Sequence, residues 1–194
     1  TNPLWDLQFP YRDETHNFTI TNNFGVEWAI MENLRLNANI SFTKTNARSE
    51  KFVSSNDTQF AMQTDLLKKG SYAKSLGESF EWNVNASASY NWVKDKHTVT
   101  VYGRWEALEN KSNNINLSAT GFPNDNMTDF LFAFEMNDRV DGNEDTQRSV
   151  GVVGQVSYLY DMRYAIDFSV RGDISSQFGD NTGMAPFWSV GLRW

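Results

Sequence analysis

The residues from Arg148 to Trp194 alternate between apolar and polar side chains, and this alternation limits what the chain can fold into. Before a reversal at 161–163, the even-numbered positions are mostly valine and tyrosine. After it, the even positions are again apolar, and the odd positions hold Asp167, Ser169, Arg171 and Asp173. Successive side chains of a β-strand point to opposite faces. Each strand is therefore predicted to have one face for an oily environment and one that carries charged groups.

The same alternation occurs in four earlier stretches, at 17–30, 34–43, 80–92 and 98–107. Short turns are predicted at 31–33, 94–96 and 161–163. The segments 2–15, 45–78 and 110–147 lack a clear period and are interpreted as loops. Short turns at one end of the strands and long loops at the other are typical of an outer-membrane β-barrel, whose short turns are periplasmic. About seven strands are counted, whereas single-chain bacterial barrels have even numbers, so we expect part of a larger barrel.

Aromatic residues near the strand ends favour a membrane barrel over a soluble sheet. Tryptophan and tyrosine form girdles where such barrels meet the two membrane interfaces. We interpret eight aromatic residues as interface or lipid-facing anchors: Trp28, Trp82, Trp92, Tyr158, Tyr160, Tyr164, Trp188 and Trp194.

Three stretches resemble the barrel of SusC/RagA-type TonB-dependent outer-membrane transporters. The longest, from Tyr158 to Gly191, includes Arg171, Asp173, Ser175, Ser176, Phe178, Gly179, Pro186 and Ser189; the others are Ser118–Asp125 (SATGFPND) and Asn2–Trp5 (NPLW). The resemblance implies a nutrient importer located in the bacterial outer membrane as a multi-pass protein. It also implies three partners beyond the lipid: TonB, a SusD-like surface lipoprotein that delivers glycans or peptides, and the rest of the barrel.

Members of that family are several times longer than 194 residues. We therefore expect residues 1–194 to be a partial barrel domain from the C-terminal side of the barrel. The family's plug, TonB-contacting segment and signal peptide are not found in this sequence.

Composition excludes several other classes of protein. The net charge of -7 disfavours nucleic-acid binding, which requires surplus lysine and arginine. With no cysteine, a disulfide framework or thiolate metal site is impossible. His16 and His97 are interpreted as surface or interface residues, so no metal site is predicted. No nucleophile elbow is present, and we predict no catalytic residues, no enzymatic activity and no cofactor.

Six side chains are predicted to line the wet interior of the barrel and are the candidates for substrate contact: Tyr102, Arg104, Glu106, Asp167, Arg171 and Asp173. Aromatic faces and paired charges can orient a polar solute. The simpler interpretation is that these groups form cross-strand ladders that hold the inner wall.

Two features of the second long loop have alternative interpretations. An acidic cluster, Asp138, Asp141, Glu144 and Asp145, carries oxygen ligands suited to calcium, but it lacks EF-hand spacing and is interpreted as a solvated loop. Alternating apolar residues at 130–136 form either an eighth strand or a surface that packs the loop onto a partner. We favour loop packing.

Two other functions stay open at this point. The first is a complete eight-stranded outer-membrane barrel with a structural or adhesive role, with 130–136 as the eighth strand. The second is a soluble β-sandwich that binds carbohydrate, which requires the apolar face of each strand to pack against a second sheet.

Overall fold

The computed structural model describes residues 3–136, 139–178 and 184–194, and most of these residues belong to antiparallel strands. The eight strands of the described ranges are β1 (Tyr11–Met31), β2 (Leu34–Val53), β3 (Ser71–Lys94), β4 (His97–Thr120), β5 (Glu135–Met136), β6 (Asp141–Tyr160), β7 (Tyr164–Ser175) and β8 (Ala185–Arg193). A helical turn at Pro3–Asp6 precedes them, and 3₁₀ turns lie at Thr58–Phe60, Leu66–Lys68, Phe130–Phe132 and Ser176–Phe178. In these ranges we find no helix of the length and apolarity that crossing a membrane requires. The predicted all-β antiparallel fold is confirmed.

The strands form one sheet in the order β1-β2-β3-β4-β6-β7-β8, and β5 pairs with β4 outside this path. Strands β6 and β7 are in register from Tyr160 opposite Tyr164 to Ser149 opposite Ser175. Because this register places even positions opposite even positions, the apolar sides of the two strands lie on one face of the sheet. The polar sides share the other face, as the alternation predicted.

The three short turns lie where the sequence places them, at 32–33, 95–96 and 161–163. Asp95 and Asp161 have φ angles of 53° and 50°, in the left-handed region that aspartate tolerates better than most residues. Two of these turns also contact each other. The Asp161 amide donates to the carbonyl of Lys96 at 2.8 Å, and the two side chains form an ion pair at 3.1 Å.

The strands are longer than predicted. Residues 45–53 and 71–78 extend β2 and β3, although 45–78 was interpreted as a loop, and 110–120 and 141–147 likewise extend β4 and β6. The prediction of a single loop at 2–15 is also wrong, because β1 begins at Tyr11. Asn2 lies outside the described residues. These extensions are mostly polar, and the apolar side chains that they do carry, such as Phe52 and Tyr72, do not alternate over a run of positions. A strand in water keeps its backbone hydrogen bonds without any apolar period, so the hydrophobic pattern could not reveal it.

The apolar residues at 130–136 form a 3₁₀ turn followed by the two-residue strand β5, which pairs with Ala119 and Thr120. Phe130 packs against an aromatic cluster of this same chain, so the partner predicted for this loop is its own chain. A membrane-crossing strand needs about 9–11 residues. Strand β5 is therefore too short to be the eighth wall strand of a complete small barrel.

The acidic cluster differs from the prediction too. Asp141, Glu144 and Asp145 belong to strand β6 and not to a loop, and Asp138 lies outside the described residues. The sequence from Phe178 to Met184 is rich in glycine, which is typical of a connection between strands, and residues 179–183 of it also lie outside the described residues.

The chain divides into two compact units. We call one the loop unit (Thr1–Ile20, Lys44–Ser79 and Ser112–Asp145) and the other the turn unit (Thr21–Thr43, Phe80–Lys111 and Thr146–Trp194). The loop unit contains the long connections, and the turn unit contains the three short turns. Each unit is described separately below.

The loop unit has an aromatic core. Phe52, Tyr72 and Phe122 are buried against one another, with ring centroids 5.1 to 6.4 Å apart. Gly121 enables the loop to enter this core, because its φ is +81° and a Cβ there would lie 2.4 Å from the Leu67 carbonyl oxygen. Its amide donates to the Lys69 carbonyl at 3.1 Å, which joins the two long loops.

Candidate functional site

A network of four charged side chains covers the polar face of the turn unit. The Arg171 guanidinium contacts a Glu106 oxygen at 2.9 Å and an Asp173 oxygen at 2.6 Å. Arg104 contacts the other oxygen of Glu106 at 3.0 Å. The network joins strand β4 to strand β7, although β6 lies between them in the sheet. Four of the six predicted interior residues are thus brought together.

Gly151 permits the network to cross β6. It lies opposite Asp173, and a Cβ at this position would be 2.8 Å from an Asp173 oxygen and 3.1 Å from Glu106. Any larger side chain would therefore stand between the arginine and the glutamate. Sequence reasoning missed this role, although the register set by the turn at 161–163 was enough to place Gly151 beside Asp173.

The other two predicted interior residues lie apart from the network. Asp167 accepts a hydrogen bond from the Ser157 hydroxyl, its partner across the strands, and contacts Arg193 at 3.3 Å. Tyr102 lies on β4 two residues before Arg104, and its side chain is half-buried. The polar face is therefore a charged cluster with a separate Asp167 group beside it.

Further polar pairs continue across this face. They are Thr21 with Thr43 at 3.2 Å, Asn39 with Asn85 at 3.3 Å, Thr100 with Asn91 at 3.1 Å and Ser169 with Ser189 at 2.7 Å. Such cross-strand pairs stabilise a sheet by about 0.2–1 kcal/mol each. The ladder interpretation of the interior residues therefore has direct geometric support.

A hollow of about 380 Å³ opens beside the network, lined in part by Glu106, Arg171 and Asp173, and also by Asn83 and Ser149. Its two carboxylates are neutralised by arginines, which suits hydrogen bonding to a polar solute better than binding a metal ion. Among the residues that the structure describes, no group of three potential metal ligands occurs.

The opposite face of the turn unit is apolar and exposed. In the described part of this unit the buried apolar residues are two alanines, Ala107 and Ala165, and every large apolar side chain is at least partly exposed. Phe168, Val170 and Ile166 are 44%, 43% and 49% exposed. A soluble sandwich would bury this face against a second sheet. The described strands form a single sheet, so that alternative is not supported.

Aromatic residues gather at the short-turn end of this apolar face. The imidazole of His97 shares a hydrogen bond of 2.7 Å with the Tyr158 hydroxyl, and its ring lies 5.1 Å from that of Tyr160. Tyr164 pairs with Tyr160 across the turn. Rings with polar tips suit a boundary between lipid and water. The sequence assigned His97 to a surface or interface but did not place it at the centre of this group.

The five tryptophans predicted as anchors occupy different positions. Trp28 and Trp92 lie within three residues of the short-turn ends of β1 and β3, and Trp194 follows the end of β8. Trp188 pairs with Val170, six residues along β7 from Tyr164. The indole N–H of Trp82 donates to Glu109 at 3.4 Å, and Glu109 also contacts Arg148.

A second charged cluster, in the loop unit, was missed because its strands were interpreted as a loop. The Glu50 side chain is only 10% exposed and contacts Arg12 at 3.4 Å, Lys74 at 3.1 Å and Arg48. Arg48 above all, together with Lys74, lowers the pKa of Glu50 to about 2. We call this group the Glu50 cluster.

Comparison with known proteins gives two kinds of relative. The chain is 31% identical over 101 residues to a protein of Formosa agariphila named TonB-dependent receptor P39, a match that covers 52% of this chain and 10% of that protein. It superposes on the RagAB peptide importer in the open-open state with a TM-score of 0.81 and 24% identity, over 99% of this chain and 21% of the solved one. The closed-closed state gives a TM-score of 0.80. No protein-family model matches the chain.

The resemblance to SusC/RagA-type TonB-dependent transporters is confirmed. The structural likeness spans nearly the whole chain. It shows that this chain has the same fold as one part of the importer. The chain spans about a tenth of the length of the curated relative and about a fifth of the solved structures.

Proposed function

We propose that this chain forms part of the barrel wall of a TonB-dependent importer in a bacterial outer membrane. The observation that carries the proposal is the division of the turn unit into an exposed apolar face and a face of charged and hydrogen-bonded side chains. Outer-membrane barrels have this arrangement, with lipid outside and a wet lumen inside. The relatives, a TonB-dependent receptor and a peptide importer, support transport over catalysis.

The polar face is then the side along which the solute passes. Arg104 and Arg171 are 41% and 48% exposed although both are ion-paired, so their remaining N–H groups are open to a passing ligand. Tyr102 and Asp167 extend this surface on β4 and β7. Glycans and peptides both offer oxygens to such donors, and the substrate is one of these two classes.

Two partner proteins supply the energy for transport and deliver the substrate. TonB supplies the energy through another segment of the importer, and a SusD-like surface lipoprotein delivers the substrate at the long-loop end. The two-component name of the RagAB importer supports a partner of this kind. The loops end in exposed apolar side chains, such as Leu131 at 84%, which suit a protein contact.

Uptake of labelled oligopeptides and oligosaccharides by cells that carry the protein containing this chain tests the proposal. We expect uptake of one class, its loss when the proton gradient is collapsed, and reduced uptake with an Arg104→Ala/Arg171→Ala double variant. Val170→Ala, on the apolar face of the same strand as Arg171, is the matched control and should transport normally. Uptake of neither class, or uptake that persists without the gradient, would overturn the proposal.

A further inference from the structure

An apolar groove of about 500 Å³ lies on one face of the loop unit. Phe18 of β1 forms one side, and Leu76 of β3 with Ile115 of β4 forms the other. These three side chains are 61%, 38% and 38% exposed. An open groove of this volume with apolar walls suits an acyl chain.

Arg48 also lines the groove, and its guanidinium belongs to the Glu50 cluster. In that cluster three cations surround one carboxylate, which leaves a surplus of two positive charges. Glu14, which contacts His16 at 3.4 Å, offsets one of them. The other acidic residue along the groove, Glu78, is paired with Lys44 at 2.8 Å. The charge that stays unbalanced beside the groove is therefore positive.

An apolar groove lined by Arg48, with surplus positive charge beside it, is complementary to an amphiphile with a long hydrocarbon tail and an anionic head. We propose that this groove binds a phosphorylated, acylated lipid, with the tail along Phe18, Leu76 and Ile115 and the phosphate at Arg48. The proposal rests on the membrane location proposed above, but not on transport. Its occupant is a lipid of the membrane and not free phosphate.

Native mass spectrometry of the detergent-solubilised protein that contains this chain measures the binding. The probes are dioleoyl phosphatidylglycerol and dioleoyl phosphatidylcholine, which have the same tails and differ in net charge. One Lys or Arg near a membrane surface contributes about 1 kcal/mol to attraction for anionic lipid, so Arg48→Gln should reduce the preference for phosphatidylglycerol about five-fold.

Lys51→Gln is the matched control. It removes one positive charge from the same strand, but Lys51 contacts Asp13 at 3.3 Å and lies outside the residues that line the groove. This variant should keep the preference of the parent. A second variant, Asn46→Trp, fills the groove without a change of charge and should weaken the binding of both lipids. Arg12 and Lys74 still surround Glu50 in both groove variants, which favours correct folding.

Equal binding of the two lipids by the parent would overturn the proposal. An equal loss of the preference for phosphatidylglycerol in Arg48→Gln and Lys51→Gln would also overturn it. So would displacement of phosphatidylglycerol by inorganic phosphate alone. Lipid binding can fail while energy-dependent uptake persists, so the outcome is separable from that of the uptake experiment.

Discussion

The loop unit and the turn unit are built from continuous strands of one sheet, yet they keep apolar surface from water in different ways. The loop unit buries Phe52, Tyr72 and Phe122 in an aromatic core. The turn unit buries only alanines among its described apolar residues and exposes its large ones. The first is organised like a small soluble domain. The second depends on a surrounding apolar phase.

This difference explains where apolar periodicity appears in the sequence. In the proposed barrel wall one face of a strand meets lipid and the other meets water, which accounts for the two-residue period of β7 from Tyr164 to Ile174. Where polar side chains occupy most positions of both faces, as in 110–120 of β4, the strand persists but the period is lost. The two mechanisms of burial therefore predict different responses to the same kinds of mutation.

The largest effect is expected in the core of the loop unit. Phe52 is 1% exposed, and Phe52→Ala should destabilise this unit by about 3–5 kcal/mol because it leaves a cavity among aromatic rings. Hydrogen exchange of residues 71–75 measures the change. Leu131→Ala, at an exposed position of the same unit, is the control. Similar exchange in both variants would show that the aromatic cluster is not a core.

The second effect tests the apolar face of the turn unit. Phe168→Arg should cost about 2–4 kcal/mol, the cost of a cation at the middle of the lipid face of a barrel. Ser169→Arg places the same charge on the polar face one residue away and should cost much less. Denaturant unfolding in lipid, followed by tryptophan fluorescence, gives both values. An equal cost at the two positions would remove the distinction between the faces.

The third effect concerns the Glu50 cluster. Because the pKa of Glu50 is lowered to about 2 from 4.5, its stabilising effect is complete above pH 4.5 and is lost as the pH falls towards 2. Glu50→Gln should cost about 1–3 kcal/mol at pH 7, since three cations lose their charged partner. Hydrogen exchange of the loop unit between pH 5 and pH 2 measures both effects.

The control for Glu50 is Glu78→Gln, whose side chain is 61% exposed. It should change protection little, because exposed ion pairs contribute about 0–1 kcal/mol. If the acid-induced loss of protection persists unchanged in Glu50→Gln, another group is responsible for it.

The smallest effect is expected for the hydrogen-bond ladder. Thr43→Val removes the partner of the Thr21 hydroxyl and keeps the shape and β-propensity of the side chain. The expected cost is about 0.2–1 kcal/mol, the range for one cross-strand pair, by the same unfolding measurement in lipid. A cost above that of Phe168→Arg would mean that the ladder, and not the lipid contact, dominates the turn unit.

Much of the turn unit was predictable from sequence. The alternation predicted its strands, and the short turns at 32–33, 95–96 and 161–163 predicted which strands pair. That Arg104 and Arg171 share the polar face of the sheet followed from parity, but their meeting through Glu106 did not, because it depends on the absence of a side chain at Gly151. Glycine in a strand indicates close approach of another group without naming that group.

The loop unit was much less predictable. The Glu50 cluster joins β1, β2 and β3 where charged and polar side chains predominate, so no apolar period distinguishes its residues from a loop. The packing of Phe130 against Tyr72, with rings 5.4 Å apart, unites residues far apart in the chain. Its sequence signal, a run of alternating apolar residues in a polar segment, indicated burial but not the surface that provides it.

The central claim is that alternate residues of one strand contact lipid and water. Residues 1–194 contain no cysteine, so single cysteines introduced at each position from 164 to 171 can carry a spin label with no background from this part of the protein. Collision rates with oxygen, which concentrates in lipid, and with a water-soluble nickel complex are then measured in bilayers. The account predicts oxygen maxima at 164, 166, 168 and 170 and nickel maxima at 165, 167, 169 and 171. Two profiles that rise and fall together, or no oxygen maximum at 166 and 168, would contradict it.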